Sequence, residues 1–149
     1  MRTILISGAS SGIGLKIAHK LLSEGNRVSV GVRNKEDLKG TIIDPEFWPK
    51  NQILINYYDA FDDNSPQYWI ANTINQFGSF DTLINCAGIF SRVPFLYTKK
   101  EKDEIYKTMK VNFLSVWELC RLSWENLCLS NNGRTVSYTH LTLPTSYPV

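Results

Sequence analysis

The stretch Ser7-Gly8-Ala9-Ser10-Ser11-Gly12-Ile13-Gly14 decides the fold, because it joins a short apolar run, residues 2–7, to an apolar stripe at Ile13, Ile17, Ala18, Leu21 and Leu22. The run reads as a buried strand and the stripe as a helix closed by Gly25. A glycine-rich turn between strand and helix puts free backbone N–H groups and the positive end of the helix dipole at one place, which favours a phosphate. Gly8, Ser10, Ser11, Gly12, Ile13 and Gly14 are therefore candidate contacts of a nucleotide. The G-x-x-x-G-x-G spacing is not the literal G-x-G-x-x-G fingerprint, and without Gly-Lys-Ser/Thr it is not a P-loop. A tight turn that only packs helix on strand is the competing interpretation, and the flanking elements favour the ligand.

Working outward, Arg27 to Arg33 alternates as a second strand and completes a βαβ unit of about thirty residues, which implies parallel pairing. Arg33 stands nineteen residues past Gly14, at that strand's end. A carboxylate there would bind the ribose of NAD, whereas an arginine suits the 2′-phosphate of NADP. No acid occupies the strand end, so NADP is expected in preference to NAD, with Ser10, Ser11 and Asn34 as further donors. The alternative is a solvated charge at a strand terminus.

Residues 34–51, with Gly40, Pro45 and Pro49, predict a short helix at most and then loop. Gln52 to Asn56 reads as a third strand, Pro66 to Phe77 as a helix ended by Gly78, and Asp81 to Asn85 as a fourth strand. After a loop over Ile89 to Tyr97, Thr98 and Glu101 form a capping-box pair. A long helix then carries Ile105, Met109, Phe113, Val116, Trp117, Cys120, Trp124 and Leu127 at spacings of three and four, until Asn131-Asn132-Gly133 ends it and Arg134 opens a fifth strand. Alternating strands and helices predict an α/β fold, a doubly wound Rossmann-type parallel sheet.

Together, Ser7 to Gly14, Asn85-Cys86-Ala87-Gly88 and Val111-Asn112 resemble the short-chain dehydrogenase/reductase family over residues 3–134. Each motif alone is weakly specific; the three in order are highly specific. The resemblance implies that the glycine turn cradles a pyrophosphate and that Asp59 and Ala60 lie along the adenine. It further implies that Asn85, Ala87 and Gly88 steady the sheet beside the cofactor; Cys86 replaces the family's second Asn. Asn112 resembles the family's catalytic asparagine, which holds a water of the proton relay by interrupting its helix; periodicity alone would leave it a plain polar position. The implied activity is carbonyl/alcohol hydride transfer on a small-molecule substrate, in a homo-oligomeric parent enzyme. A non-catalytic NADP-binding module, or an epimerase or dehydratase on the same scaffold, are the other functions weighed. Phe90, Phe95 and Tyr97 either line a substrate pocket or pack the loop.

Composition narrows the class. A 149-residue chain with 43% hydrophobic and 20% charged residues is an ordinary globular domain rather than a disordered one. Its net charge of +2 arises from interleaved basic and acidic residues, so nucleic acid is not an expected partner. Three cysteines without a Cys-x-x-Cys pair or nearby histidines argue against a metal site and for a reduced, cytoplasmic setting. The opening apolar run is too short for a membrane span or a signal peptide.

After Arg134 the text turns unusual: residues 135–149 contain no Asp, Glu, Lys or Arg. Residues 136–145 can be written, codon by codon, as an in-frame transposase-type sequencing adapter, and 135–149 are expected to be a non-native tail on an incomplete nucleotide-binding domain, residues 1–134. The family's catalytic Ser, Tyr and Lys are then absent and the chain catalytically incompetent. Ser137 and Tyr138 are adjacent, Tyr138 is followed four places on by Thr142 rather than Lys, and neither these nor His140 is assigned a catalytic role. Ending the native fold there would leave the fourth strand as an exposed edge.

Overall fold

The computed structural model describes residues 1–138. Five strands, β1 (Thr3–Ser7), β2 (Arg27–Val32), β3 (Ile53–Tyr57), β4 (Thr82–Asn85) and β5 (Arg134–Ser137), form one parallel sheet in the order β3-β2-β1-β4-β5. Helices α1 (Gly12–Ser23), α2 (Ser65–Phe77), α3 (Lys99–Met109) and α4 (Ser115–Leu129) cover it, and a π-turn, Lys110–Leu114, joins the last two. Two short 3₁₀ turns, Lys35–Leu38 and Pro45–Phe47, occupy the segment read as short helix and loop.

Every residue of β1 is buried because the sheet is covered on both faces, which is why the strand reads as continuously apolar rather than alternating. Strand period then sorts the side chains. Ile4, Ile6, Val28, Val30 and Ile53 pack with Ala18 and Leu22 of α1 on one face. Leu5 and Leu83 pack with Trp69 and Ile70 of α2 and Leu119 of α4 on the other. Ser29 and Gly31 fall on this second face, where Ser29 bonds Trp69 and Gly31 leaves room for its ring.

β5 opens at Arg134, as the Asn-Asn-Gly boundary predicts, and pairs with β4 from Thr82↔Arg134 to Asn85↔Ser137. This corrects the expectation of a fold ending after the fourth strand with β4 as a bare edge: Thr135, Val136 and Ser137 belong to the sheet, and β5 is the outer strand on that side among the described residues. The rest of the adapter-like stretch, with His140, lies outside the described residues.

The long helix forms but is not continuous. Its capping box forms, with the Thr98 amide donating to Glu101 at 2.7 Å, but the π-turn divides it and shifts its phase. Val111, Ser115, Leu119 and Ser123 face inward, whereas Met109, Phe113, Trp117 and Trp124 point to solvent. Small serines let α4 approach the sheet closely, and the aromatic stripe lies outside, with Trp117 and Trp124 65% and 68% exposed. No helix among the described residues is long and apolar enough to cross a membrane.

Candidate functional site

A cleft of about 680 Å³ opens where β1, β2, β3 and β4 end, on the carboxyl side of the parallel sheet. Its base is the glycine turn. Gly8 (φ +69°) donates to the Gly31 carbonyl at 3.1 Å, and a Cβ on Gly8 would stand 2.6 Å from Ala87 Cα. A Cβ on Gly14 would collide with the Gly8 carbonyl. The turn and the β4 exit are thus folded into one body. Ser7 fastens them: its carbonyl accepts from the Cys86 amide (3.1 Å), and its hydroxyl accepts from the amides of Cys86 and Ala87 (both 3.2 Å).

Ser10, Ser11, Gly12, Ile13 and Gly14 line the cleft at the start of α1. Ser11 precedes the helix in extended conformation and its side chain caps nothing, so the first amides of α1 keep their donors for a ligand. Arg33, exposed at the end of β2, lines the same cleft. Asp59 and Ala60 contribute the wall after β3; the Asp59 carboxylate accepts from the Phe61 amide at 2.9 Å, which fixes the bend of that loop. Ala87 and Gly88 complete the floor.

Two predicted contacts stand elsewhere. Asn34 does not line the cleft: its side-chain oxygen accepts from the Glu36 amide at 3.1 Å and caps the first 3₁₀ turn, an ordinary local use of asparagine. Asn85 is fully buried, donating to Ser137 Oγ at 3.3 Å and Cys120 Sγ at 3.8 Å, so it ties β4 to β5 and α4 instead of reaching into the cleft. Of the aromatic loop residues, Phe90 lines the cleft, while Phe95 and Tyr97 are exposed away from it.

Asn112 does reach the cleft, carried by the π-turn. Its amide grips the β4–α3 loop at two points: Oδ1 accepts from the Ile89 N–H (2.9 Å) and Nδ2 donates to the Ile89 carbonyl (2.8 Å). Sequence reasoning missed Tyr58, Val111 and Thr108, which also line the wall. Tyr58 is 3% exposed, and burial pushes its phenol pKa up, with Ser115 close enough to oppose the shift. A Tyr-Tyr pair after an apolar strand carries no signal as to which ring turns inward.

Cys86 lines the cleft beside Gly14, and burial pushes its thiol up from 9.0 to about 11. Only the thiolate is nucleophilic, so at pH 8 Cys86 holds about a hundredfold less thiolate than an unperturbed cysteine. Iodoacetamide with peptide mapping is expected to label exposed Cys128 first and Cys86 last, the Cys86 rate climbing tenfold per pH unit up to about 11. Equal labelling of the two at pH 8 would refute this burial.

A sequence profile described as short chain dehydrogenase matches residues 2–140, and the chain belongs to that family. It is 34% identical over 140 residues to agropine synthesis reductase of Rhizobium rhizogenes, matching 90% of this chain and 30% of that protein. It is 30% identical over 149 residues to 2-(R)-hydroxypropyl-CoM dehydrogenase of Xanthobacter autotrophicus, matching 99% and 59%. Among solved structures, a short-chain dehydrogenase from Streptomyces avermitilis superposes with a TM-score of 0.82 at 23% identity, over 91% of this chain and 48% of that one. A 3-oxoacyl-reductase structure from Bacillus thuringiensis gives 0.79 at 22% identity, over 93% and 57%. The chain thus spans less than two thirds of the length of the reductase and the dehydrogenase it matches, and of both solved structures.

Proposed function

We propose that this chain is the dinucleotide-binding part of an NADP-dependent oxidoreductase that interconverts a carbonyl and an alcohol by hydride transfer. The observation that carries the cofactor preference is Arg33 in the cleft wall at the end of β2, with Ser10 and Ser11 on the same cleft. The guanidinium would take the 2′-phosphate, the N-terminal amides of α1 the pyrophosphate, and Asp59 and Ala60 the adenine. The glycine turn fits a nicotinamide dinucleotide in that Gly8 and Gly14 let the turn fold tightly against Ala87 and its own backbone, while Gly12, with nothing within 4 Å of an added Cβ, lies beside open space at the start of α1 where the pyrophosphate would approach. The bound cofactor would supply the hydride, and the chain's own residues position it. Asn112 holds the Ile89 loop against the cleft. The parent is read as a homo-oligomer acting on a small molecule, and as cytoplasmic, the three free cysteines suiting a reducing compartment.

Among the described residues Tyr138 lines the cleft, but Thr142 stands where a Tyr-x-x-x-Lys pair would need its lysine. This favours binding without turnover by the chain as given, and a non-catalytic NADP-binding module is the second reading. Titration with NADP and NAD tests the cofactor: NADP is expected to bind more tightly, and Arg33→Ala to cost about ten- to a hundredfold toward NADP with little change toward NAD, the worth of one charged hydrogen-bonding group. Equal affinities in the unaltered chain would sink the preference. A carbonyl-reductase assay with NADPH separates the readings, activity above background excluding the non-catalytic one.

A further inference from the structure

The π-turn that presents Asn112 has a specific hydrogen-bond defect, and one side chain repairs it. In a regular helix the Ser115 amide would donate to the Val111 carbonyl four residues back. Here the Ser115 amide donates to the Lys110 carbonyl, five residues back. The Val111 carbonyl accepts instead from the Ser115 hydroxyl, at 2.6 Å. Val111 and Ser115 are both buried, and an unpaired carbonyl there would be costly. Ser115 therefore serves both ends of the exchange, its backbone making the wide turn and its side chain covering the group that the wide turn releases.

We propose that Ser115 is a positioning residue for the cleft, holding the π-turn whose extra residue aims Asn112 at the Ile89 backbone. π-turns are rare and strained relative to the α-helix, and persist where something compensates the lost bond. Without the hydroxyl, the Val111 carbonyl recovers a partner most directly if the Ser115 amide returns to it and the helix becomes regular. That change removes one residue's worth of winding, about 100° of helix rotation, between α3 and α4. Asn112 cannot then keep both of its bonds to Ile89, because they require the carboxamide to lie flat along that one peptide. Two further features mark the turn as a held element. The Lys110 ammonium pairs with Asp63 of the β3–α2 loop at 2.6 Å, and Tyr58 closes over Ser115 from the cleft side, its hydroxyl buried without a well-formed hydrogen bond. Cleft wall and loop thus both hold the turn, Tyr58 at Ser115 and Asp63 at Lys110.

This inference deepens the reading of Asn112 as part of the nucleotide cleft, yet its test does not depend on which nucleotide binds. Amide hydrogen exchange is measured on the chain and on Ser115→Ala, following the Ile89 N–H that Asn112 accepts and the Leu5 and Val30 amides of the central strands as internal references. Ser115→Ala is expected to speed Ile89 exchange about tenfold or more while Leu5 and Val30 keep their protection, the size of one lost buried hydrogen bond. Ser115→Thr, which keeps the hydroxyl, is expected to restore slow exchange at Ile89. If the added methyl prevents folding, Ser115→Cys with its weaker S–H donor is expected to fall between serine and alanine. Unchanged Ile89 protection in Ser115→Ala, or a rise matched by Leu5 and Val30, would overturn the proposal. Loss of NADP preference in the titrations would leave it standing.

Discussion

Gly8→Ala is expected to destabilise the chain by about 3 kcal/mol and to abolish nucleotide binding at the cleft. Two costs combine. The residue sits at φ +69°, in the left-handed region, where a Cβ costs about 1 kcal/mol. The added Cβ would also stand 2.6 Å from the Ala87 Cα and amide nitrogen and 2.9 Å from the Cys86 carbonyl carbon, all backbone atoms. Backbone on that side cannot yield cheaply, because the Cys86 and Ala87 amides are held by Ser7 and Gly8 itself is held by Gly31. Relief must come from breaking those bonds, which opens the joint between the glycine turn and the β4 exit. Gly12→Ala provides the control: φ is +56°, but nothing lies within 4 Å of its Cβ, so only the conformational cost of about 1 kcal/mol is expected. Urea unfolding of the two variants reads the difference. If both cost the same, the close approach of the two segments is not what fixes a glycine at position 8.

The glycine turn was legible in the sequence because it depends on backbone alone, and strand, Gly-rich turn and amphipathic stripe follow one another without interruption. Arg33 was legible for a related reason, since chain length from Gly14 and strand alternation place it at the cleft mouth. Asn34 was misplaced because asparagine is equally at home capping a turn, and its bond to the Glu36 amide is a local choice that spacing cannot distinguish from a ligand contact. Asn85, expected to steady the sheet beside the cofactor, does tie β4 to β5 and α4, but its side chain does not line the cleft. Which residues of α4 face inward was not legible in the sequence, for two physical reasons. A continuous 3.6-residue period was carried through the π-turn, whose extra residue resets the phase, and small buried serines at 115 and 123 look polar when written as letters. Asn112 stood out through the family resemblance, not through periodicity. The Ser115 exchange could not be foreseen, because nothing in a Val-Asn-Phe-Leu-Ser string records which carbonyl a hydroxyl will cover.

The same blindness to small polar residues hid the support beneath the cleft, and Trp69→Ala is the change expected to expose it, at a cost of about 3–5 kcal/mol. Trp69 is buried on α2 with its ring over Gly31, where an added Cβ would meet Cζ3 at 2.8 Å, and its centroid lies 5.2 Å from that of Tyr58. The indole is also bonded: Nε1 donates to Ser29 Oγ at 3.0 Å. Ser29 Oγ accepts a second bond from Asn56 Nδ2 at 3.1 Å and lies 2.7 Å from Thr73 Oγ1. Thr73 Oγ1 donates to the Trp69 carbonyl, so the Ser29 proton goes to Thr73. One donor and two acceptor sites of the serine hydroxyl are thereby all used, and a buried network so filled has no slack. Deleting the ring empties a large volume, leaves Ser29 one donor short and takes away the surface against which Tyr58 forms the cleft wall. Trp69→Phe separates these contributions. It keeps most of the ring and loses only the N–H, and should cost about 1 kcal/mol, with nucleotide affinity nearly intact. Denaturant midpoints at unchanged slope measure both variants. A Trp69→Ala cost no larger than that of Trp69→Phe would mean that Ser29, not ring packing, holds α2 to the sheet under the cleft.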